Sequence, residues 1–131
     1  MKLVWDASAL VAVIRVSDAH HQQAYGLWLE HKTALSIIPA LAWFEYQATA
    51  NRLKREGARM SPLIHLDEST TKLLPIDLAF IRRSSGRMLP DRFDMLRGAD
   101  LVYACAAALE DATLVTFDTR LKQAFGSNTL P

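Results

Sequence analysis

Apolar and polar positions along this chain follow two rhythms: short β-prone runs and longer stretches at helical spacing. The first run, Lys2-Leu-Val-Trp5, stops at Asp6, and residues 7–15 then read as a buried helix. The chain therefore opens as strand, acid, helix. A cap at Ser17 or Asp18 predicts a second helix through Ala24, Leu27 and Trp28. Residues 34–38 form another β-prone run. Pro39 ends it and suits the first turn of a helix over about 41–56, with Gly57 as its stop.

Residues 58–95 are the least patterned. Ser61-Pro62 predicts a helix start, 72–76 a short strand and 78–87 a helix. The pattern then sharpens. Residues 99–110 are apolar nearly all round, which predicts a deeply buried helix. Residues 112–117 read as a strand ended by Asp118, and 119–125 as a helix. Strands alternating with helices predict an α/β fold, a three-layer α/β/α sandwich with a central, mostly parallel sheet. At 131 residues the chain fits a single domain over 1–131.

Half of the residues are apolar and 22% are charged, a balance that excludes a disordered chain. The longest apolar stretches, 36–44 and 101–109, are too short to cross a bilayer. The apolar run after Lys2 is cut by Asp6 before it reaches signal-peptide length. The lone Cys105 cannot form an internal disulfide and lies in an alanine-rich helix with no histidine near it in sequence, so it reads as a buried, inert thiol. These points make the cytoplasm the expected location.

Candidate chemistry lies in four carboxylates. In open parallel sheets ligands bind outside the carboxyl ends of the strands. Asp6 and Asp118 each follow a strand directly. Asp100 opens the buried helix before the last clear strand, and Glu45 lies one turn into the helix after the second strand. All four are expected at one end of the sheet. Leu41, Phe44 and Ala48 surround Glu45 at helical spacing, which places it on a core-facing stripe where a carboxylate is costly without a partner. Ala104 and Ala107 leave room beside Asp100 but supply no partner.

Each acid also has a plainer explanation. Asp6 and Asp118 precede helices and could be N-caps. Asp100 could serve its helix dipole or pair with Arg97, and Glu45 could pair with an arginine across the core. Together, however, four converging acids repel one another, and no basic residue is spaced to neutralise them all. Either their pKa values rise sharply or a cation sits between them; the second reading is preferred, and oxygen ligands suit Mg²⁺ or Mn²⁺. The chain carries 15 basic and 14 acidic side chains, so setting these four aside leaves a basic excess of five, compatible with a polyanionic substrate.

Other features carry less. His20 and His21 are adjacent and point apart, so they read as surface residues, with contact of one of them with substrate as the alternative. His31 and His65 are isolated, and no zinc-ligand spacing exists. Arg82, Arg83, Arg87, Arg92 and Arg97 concentrate positive charge shortly before Asp100; a solvated helical face explains them, but they are also the best candidates for phosphate contacts. Trp5, Trp28 and Trp43 read as core or dimer contacts.

Leu3-Val-Trp-Asp6-Ala-Ser8-Ala-Leu, Pro39 followed by Glu45, Arg97-Gly-Ala-Asp100-Leu-Val-Tyr-Ala-Cys-Ala-Ala-Ala-Leu and Leu114-Val-Thr116-Phe-Asp118-Thr-Arg-Leu resemble the PIN-domain nucleases, and among them the VapC toxins of toxin–antitoxin pairs. The resemblance covers residues 1–56 and 94–125 in matching order. It implies a Mg²⁺- or Mn²⁺-dependent endoribonuclease acting on structured RNA such as transfer or ribosomal RNA. Asp6, Glu45, Asp100 and Asp118 match the catalytic acids, with Asp6, Asp100 and Asp118 as metal ligands. Ser8 and Thr116 match the supporting hydroxyls. The resemblance also implies a homodimer and an inhibitory antitoxin partner.

Rival classes fit less well. A phosphotransferase opening with Asp-x-Asp would need an acid where Ser8 stands, and both it and a receiver-type domain lack a lysine at the end of a later strand. Neither phosphate-loop glycine pattern occurs. A catalytically degenerate PIN-like module that only binds RNA or protein remains the alternative, against which an intact acidic quartet argues.

Overall fold

The computed structural model describes residues 1–66, 69–87 and 89–131. Its strands are β1 (Lys2–Trp5), β2 (Leu35–Pro39), β3 (Thr71–Leu74), β4 (Thr113–Val115) and β5 (Thr129–Leu130). They form one sheet in the order β3-β2-β1-β4-β5, and every pairing is parallel. The helices are α1 (Ala7–Ile14), α2 (His21–Glu30), α3 (Ala40–Glu56), α4 (Leu78–Gly86), α5 (Ala99–Leu109) and α6 (Thr119–Phe125), with a 3-10 turn at Asp91–Met95. No helix among the described residues is long and apolar enough to cross a membrane.

That strand order locates the functional edge. From β1 the chain steps outward to β2 and β3, then crosses back to β4 and steps the other way to β5. Right-handed crossovers put α1, α2 and α3 on one face and α4, α5 and α6 on the other. The packing agrees: α1 lies against α2 and α3, and α5 against α4 and α6. The crossovers diverge between β1 and β4, which opens a crevice at the carboxyl ends of those two strands.

The central strands are sealed on both faces, as a parallel sheet requires. Leu3, Val4, Trp5, Ile37, Ile38, Leu114 and Val115 are all buried. The Trp5 indole N–H donates to Ser36 Oγ at 3.1 Å, and its ring meets Trp28 edge-on at 5.1 Å. Trp43 is half-buried and tilts against Tyr46. Cys105 is buried, and burial pushes its thiol pKa up, consistent with an inert core group.

Three expectations for the fold change. No helix starts at Ser61. Instead the Ser61 N–H donates to Ile14 O, Arg15 and Met60 form an antiparallel bridge, and the Ile64 N–H donates to the buried Tyr46 hydroxyl at 2.7 Å. The segment is an extended strap pinned to α1 and α3. Residues 67, 68 and 88, within the poorly patterned stretch, lie outside the described residues. Second, α2 starts later than expected, because Asp18 spends its carboxylate on the His20 N–H in the turn before the helix. Third, His21 is not a surface residue. It is half-buried, with Nδ1 at 2.8 Å from Ala12 O and Nε2 at 3.4 Å from Ser61 Oγ, and it ties α2 to α1 and the strap.

Candidate active site

Asp6 leaves the end of β1, and its backbone N–H donates to Val115 O on β4 at 3.1 Å, which sets it at the crevice. Its side chain does cap α1: Oδ1 accepts the Ala9 N–H at 2.8 Å and the Ser8 hydroxyl at 2.8 Å. Oδ2 accepts the hydroxyl of Thr116, the residue just past β4. Thr116 is fully buried, and its Oγ1 in turn accepts the Asp118 N–H at 3.0 Å. One threonine hydroxyl therefore couples the first acid to the loop that carries the last.

Capping alone leaves the electrostatics of Asp6 unexplained. A cap functions at the surface, yet Asp6 is only 2% exposed. Burial pushes its pKa up to about 6, with the nearby Asp118 charge adding to that, against the lowering effect of hydrogen bonds from Thr116, Ala9 and Ser8. Three of the roughly four acceptor positions of the carboxylate are filled, which leaves a lone pair free.

Asp118 is also a cap, accepting the Leu121 N–H on Oδ1 at 2.9 Å. Asp100 lies in the first turn of α5, half-buried. Burial raises its pKa, the Asp118 charge raises it further, and Arg120 rather than Arg97 acts against the rise. Gly98 lets the chain enter α5 at a φ of +55°, a conformation that side chains rarely adopt. Among the described residues none of the four acids is in an ion pair; the one pair found, Arg83 with Glu110 at 3.6 Å, lies elsewhere.

Glu45 corrects the sequence reading. The face of α3 bearing Leu41, Phe44, Glu45 and Ala48 is exposed, with Phe44 at 68%, while Ala42, Tyr46, Thr49, Ala50 and Leu53 form the buried stripe. Glu45 thus carries no burial cost. Its charge, with those of Asp6 and Asp100, opposes ionisation of the buried Tyr103 hydroxyl.

Three of the five arginines named as candidates for phosphate contacts are engaged elsewhere. Arg87 Nη1 donates to Ala108 O at 2.6 Å and Arg83 Nη2 to Leu109 O at 3.5 Å, at the carboxyl end of α5, opposite Asp100. They satisfy terminal carbonyls of that helix. Arg92 does the same for α6 through Ala124 O and Phe125 O. Arg82 and Arg97 are exposed. Phe117 and Lys122, not singled out in the sequence, lie closer: the exposed His20 ring stacks on Phe117 at 4.5 Å, and Lys122 Nζ sits 6.0 Å from the Phe117 centroid. Phe117, flanked by Thr116 and Asp118, was the available signal.

The donor set is hard, anionic oxygen, which fits a divalent cation such as Mg²⁺ or Mn²⁺. Among the described residues no group of three acids, histidines or cysteines stands close enough to hold an ion. The buried Tyr103 hydroxyl, which has no hydrogen-bond partner among the described residues, is consistent with a site that completes itself on binding.

The protein is thus a parallel α/β/α sandwich with Asp6 buried at the β1–β4 switch point and the Asp118 charge near it. Residues 3–125 match the PIN domain family, and the chain belongs to that family. PIN domains are generally nucleases that use divalent metals. No curated protein matches the chain.

Proposed function

We propose that this protein is a Mg²⁺- or Mn²⁺-dependent endoribonuclease, the VapC-like toxin of a toxin–antitoxin pair, acting in the cytoplasm on structured RNA of the transfer or ribosomal class. The observation that carries the proposal is the buried Asp6: its pKa is pushed up to about 6, it neighbours another acid, and it has no basic partner among the described residues. A buried, unpaired acid is tolerable when a cation shares its site.

Asp6 and Asp100 would hold the ion, with Asp118 beside them. When bound, that ion supplies charge neutralisation for the scissile phosphate and a water acidified toward neutral pH. Ser8 and Thr116 hold the Asp6 carboxylate in one orientation through the bonds described above. Thr116 also fixes the Asp118 backbone, so the two acids keep their spacing as charge accumulates. Glu45, exposed at the rim, is suited to orient the attacking water. The His20–Phe117 pair offers a stacking surface for an unpaired base, and Lys122 a positive charge for the backbone next to it. Leu41 and Phe44, exposed beside Glu45, support a protein partner on that face, as expected for a homodimer or an antitoxin.

Purified protein incubated with total RNA, with Mg²⁺ or with chelator, tests the proposal, and sequencing the new RNA ends identifies the target. Cleavage is expected with Mg²⁺ only and is abolished in Asp6→Asn and Asp100→Asn. Cleavage by those variants at the parent rate contradicts the assignment. RNA binding without cleavage, unchanged by chelator, supports the degenerate binding module instead.

A further inference from the structure

Arg87 and Arg92 cap the carboxyl ends of α5 and α6, yet capping occupies only part of each side chain. A guanidinium carries five N–H donors. Arg87 gives one, from Nη1, to Ala108 O, and Arg92 gives two, from Nε and Nη2, to Ala124 O and Phe125 O. Among the described residues neither arginine is in an ion pair. Both border one cavity of about 360 Å³, which also reaches Ala108, Phe125 and the turn after α6.

The carbonyl bonds hold the two guanidinium groups in place, so a ligand that meets them does not have to order them again. The backbone makes room for one of them. Gly126 has a φ of +98°, and a Cβ built there would lie 3.2 Å from Arg92 Nη2. Charge favours an anion. Two guanidinium groups bring two positive charges, and the two helix ends offset about half a charge each, which leaves about one in excess. No carboxylate is among the described residues that line the cavity.

Two cations around one small cavity repel each other until an anion comes between them. The planar fork of arginine suits phosphate, whose oxygens accept two parallel N–H bonds. The remaining lining suits what a phosphate is attached to. Phe93 and Phe125 stack at 6.0 Å and form an apolar wall, and the exposed Ser127 hydroxyl adds a neutral donor. Asp100 and Ala108 stand near opposite ends of α5, about 12 Å apart along its axis. A phosphate held here is therefore not the one beside the acids.

Going beyond the nuclease reading, we propose that this cavity is a second, metal-independent phosphate site, in which Arg87 and Arg92 grip the phosphate of a nucleotide, free or within an RNA strand.

Chemical-shift titration of the backbone amides, in chelator and at constant ionic strength, tests the site with inorganic phosphate, adenosine 5′-monophosphate, adenosine and a short single-stranded RNA. Saturable shifts are expected at Gly126, Ser127 and Asn128 with phosphate and the monophosphate, and none with adenosine. Arg87→Gln and Arg92→Gln should each weaken binding about tenfold or more. Arg55→Gln, on α3 and outside the cavity, should bind as the parent does. Arg92→Gln also cuts a tie between the 3-10 turn and α6, so Arg87→Gln carries the test if that variant unfolds. A parent without a saturable response, equal shifts with adenosine, or unchanged affinity in Arg87→Gln would overturn the proposal. Tighter binding of the RNA than of the monophosphate supports the site and assigns it to an RNA strand; the reverse supports it and assigns it to a free nucleotide. Cleavage plays no part in the readout, so a protein without nuclease activity leaves this site standing, and a cavity that takes no phosphate leaves the nuclease reading standing.

Discussion

Replacing Asp6 with asparagine should stabilise the ion-free protein at alkaline pH while destroying its function. In the folded protein the Asp6 pKa is pushed up to about 6 from an ordinary 3.8, foremost by burial. A carboxyl whose folded pKa is raised binds its proton more tightly when folded. Its favourable contribution is therefore complete below the unfolded pKa and is lost as pH rises through 6. The shift of about two units, at about 1.4 kcal/mol per unit, amounts to about 3 kcal/mol, of which about 2 kcal/mol is lost between pH 4.5 and 8.

Asparagine avoids that loss. Its Oδ1 keeps the bonds from Ser8 and Ala9, and its amide faces the Thr116 hydroxyl, which can accept. Thermal unfolding of parent and Asp6→Asn in chelator, at pH 4.5 and at pH 8, measures the gap. The variant's advantage should widen by about 2 kcal/mol across that interval, roughly 5–8 °C in Tm for a chain of this size. A gap that is constant, or that closes as pH rises, would falsify the view that Asp6 is held ionised at a cost.

Three further outcomes follow from the same geometry. Thr116→Val leaves a buried carboxylate oxygen and the Asp118 N–H without their shared hydroxyl, so chemical denaturation at pH 8 should show a loss of about 2–3 kcal/mol and RNA cleavage should fall. Gly98→Ala forces a side chain into the +55° conformation at the start of α5 and should cost about 1–3 kcal/mol by the same assay; no change would mean the turn relaxes freely. His20→Ala should raise KM for RNA about tenfold or more with little change in kcat, if one base stacks on the exposed ring, and an unchanged KM would remove His20 from the RNA path.

The legible parts of the fold were those whose cause is local. Lys2–Trp5 ends at an acid followed by a buried helical stripe, so Asp6 could be placed from the chain alone. β4 instead stops at Val115 rather than running to residue 117, and Asp118 stands in the turn beyond it, where Thr116 turns its hydroxyl to Asp6 and to the Asp118 N–H rather than extending the strand. The strap at 61–66 could not, because what holds it straight is distant in sequence: the Tyr46 hydroxyl and the Ile14 carbonyl. On α3 two stripes compete, and Leu41 with Phe44 is the more apolar to the eye. The sheet instead accepts the smaller Ala42 and Ala50 with Tyr46 and Leu53, and Glu45 is left outside. Nearness in sequence misled for Arg83 and Arg87, since α5 separates its Asp100 end from the carbonyls those arginines cap.

Calorimetric titration of Mn²⁺ into the metal-free protein at pH 8, with Asp6→Asn and Asp100→Asn in parallel, addresses the shared-cation site most directly. Saturable binding is expected in the parent, and it should weaken at least tenfold in each variant. A parent that takes up no Mn²⁺, or variants that bind it as tightly, would mean these carboxylates share no ion.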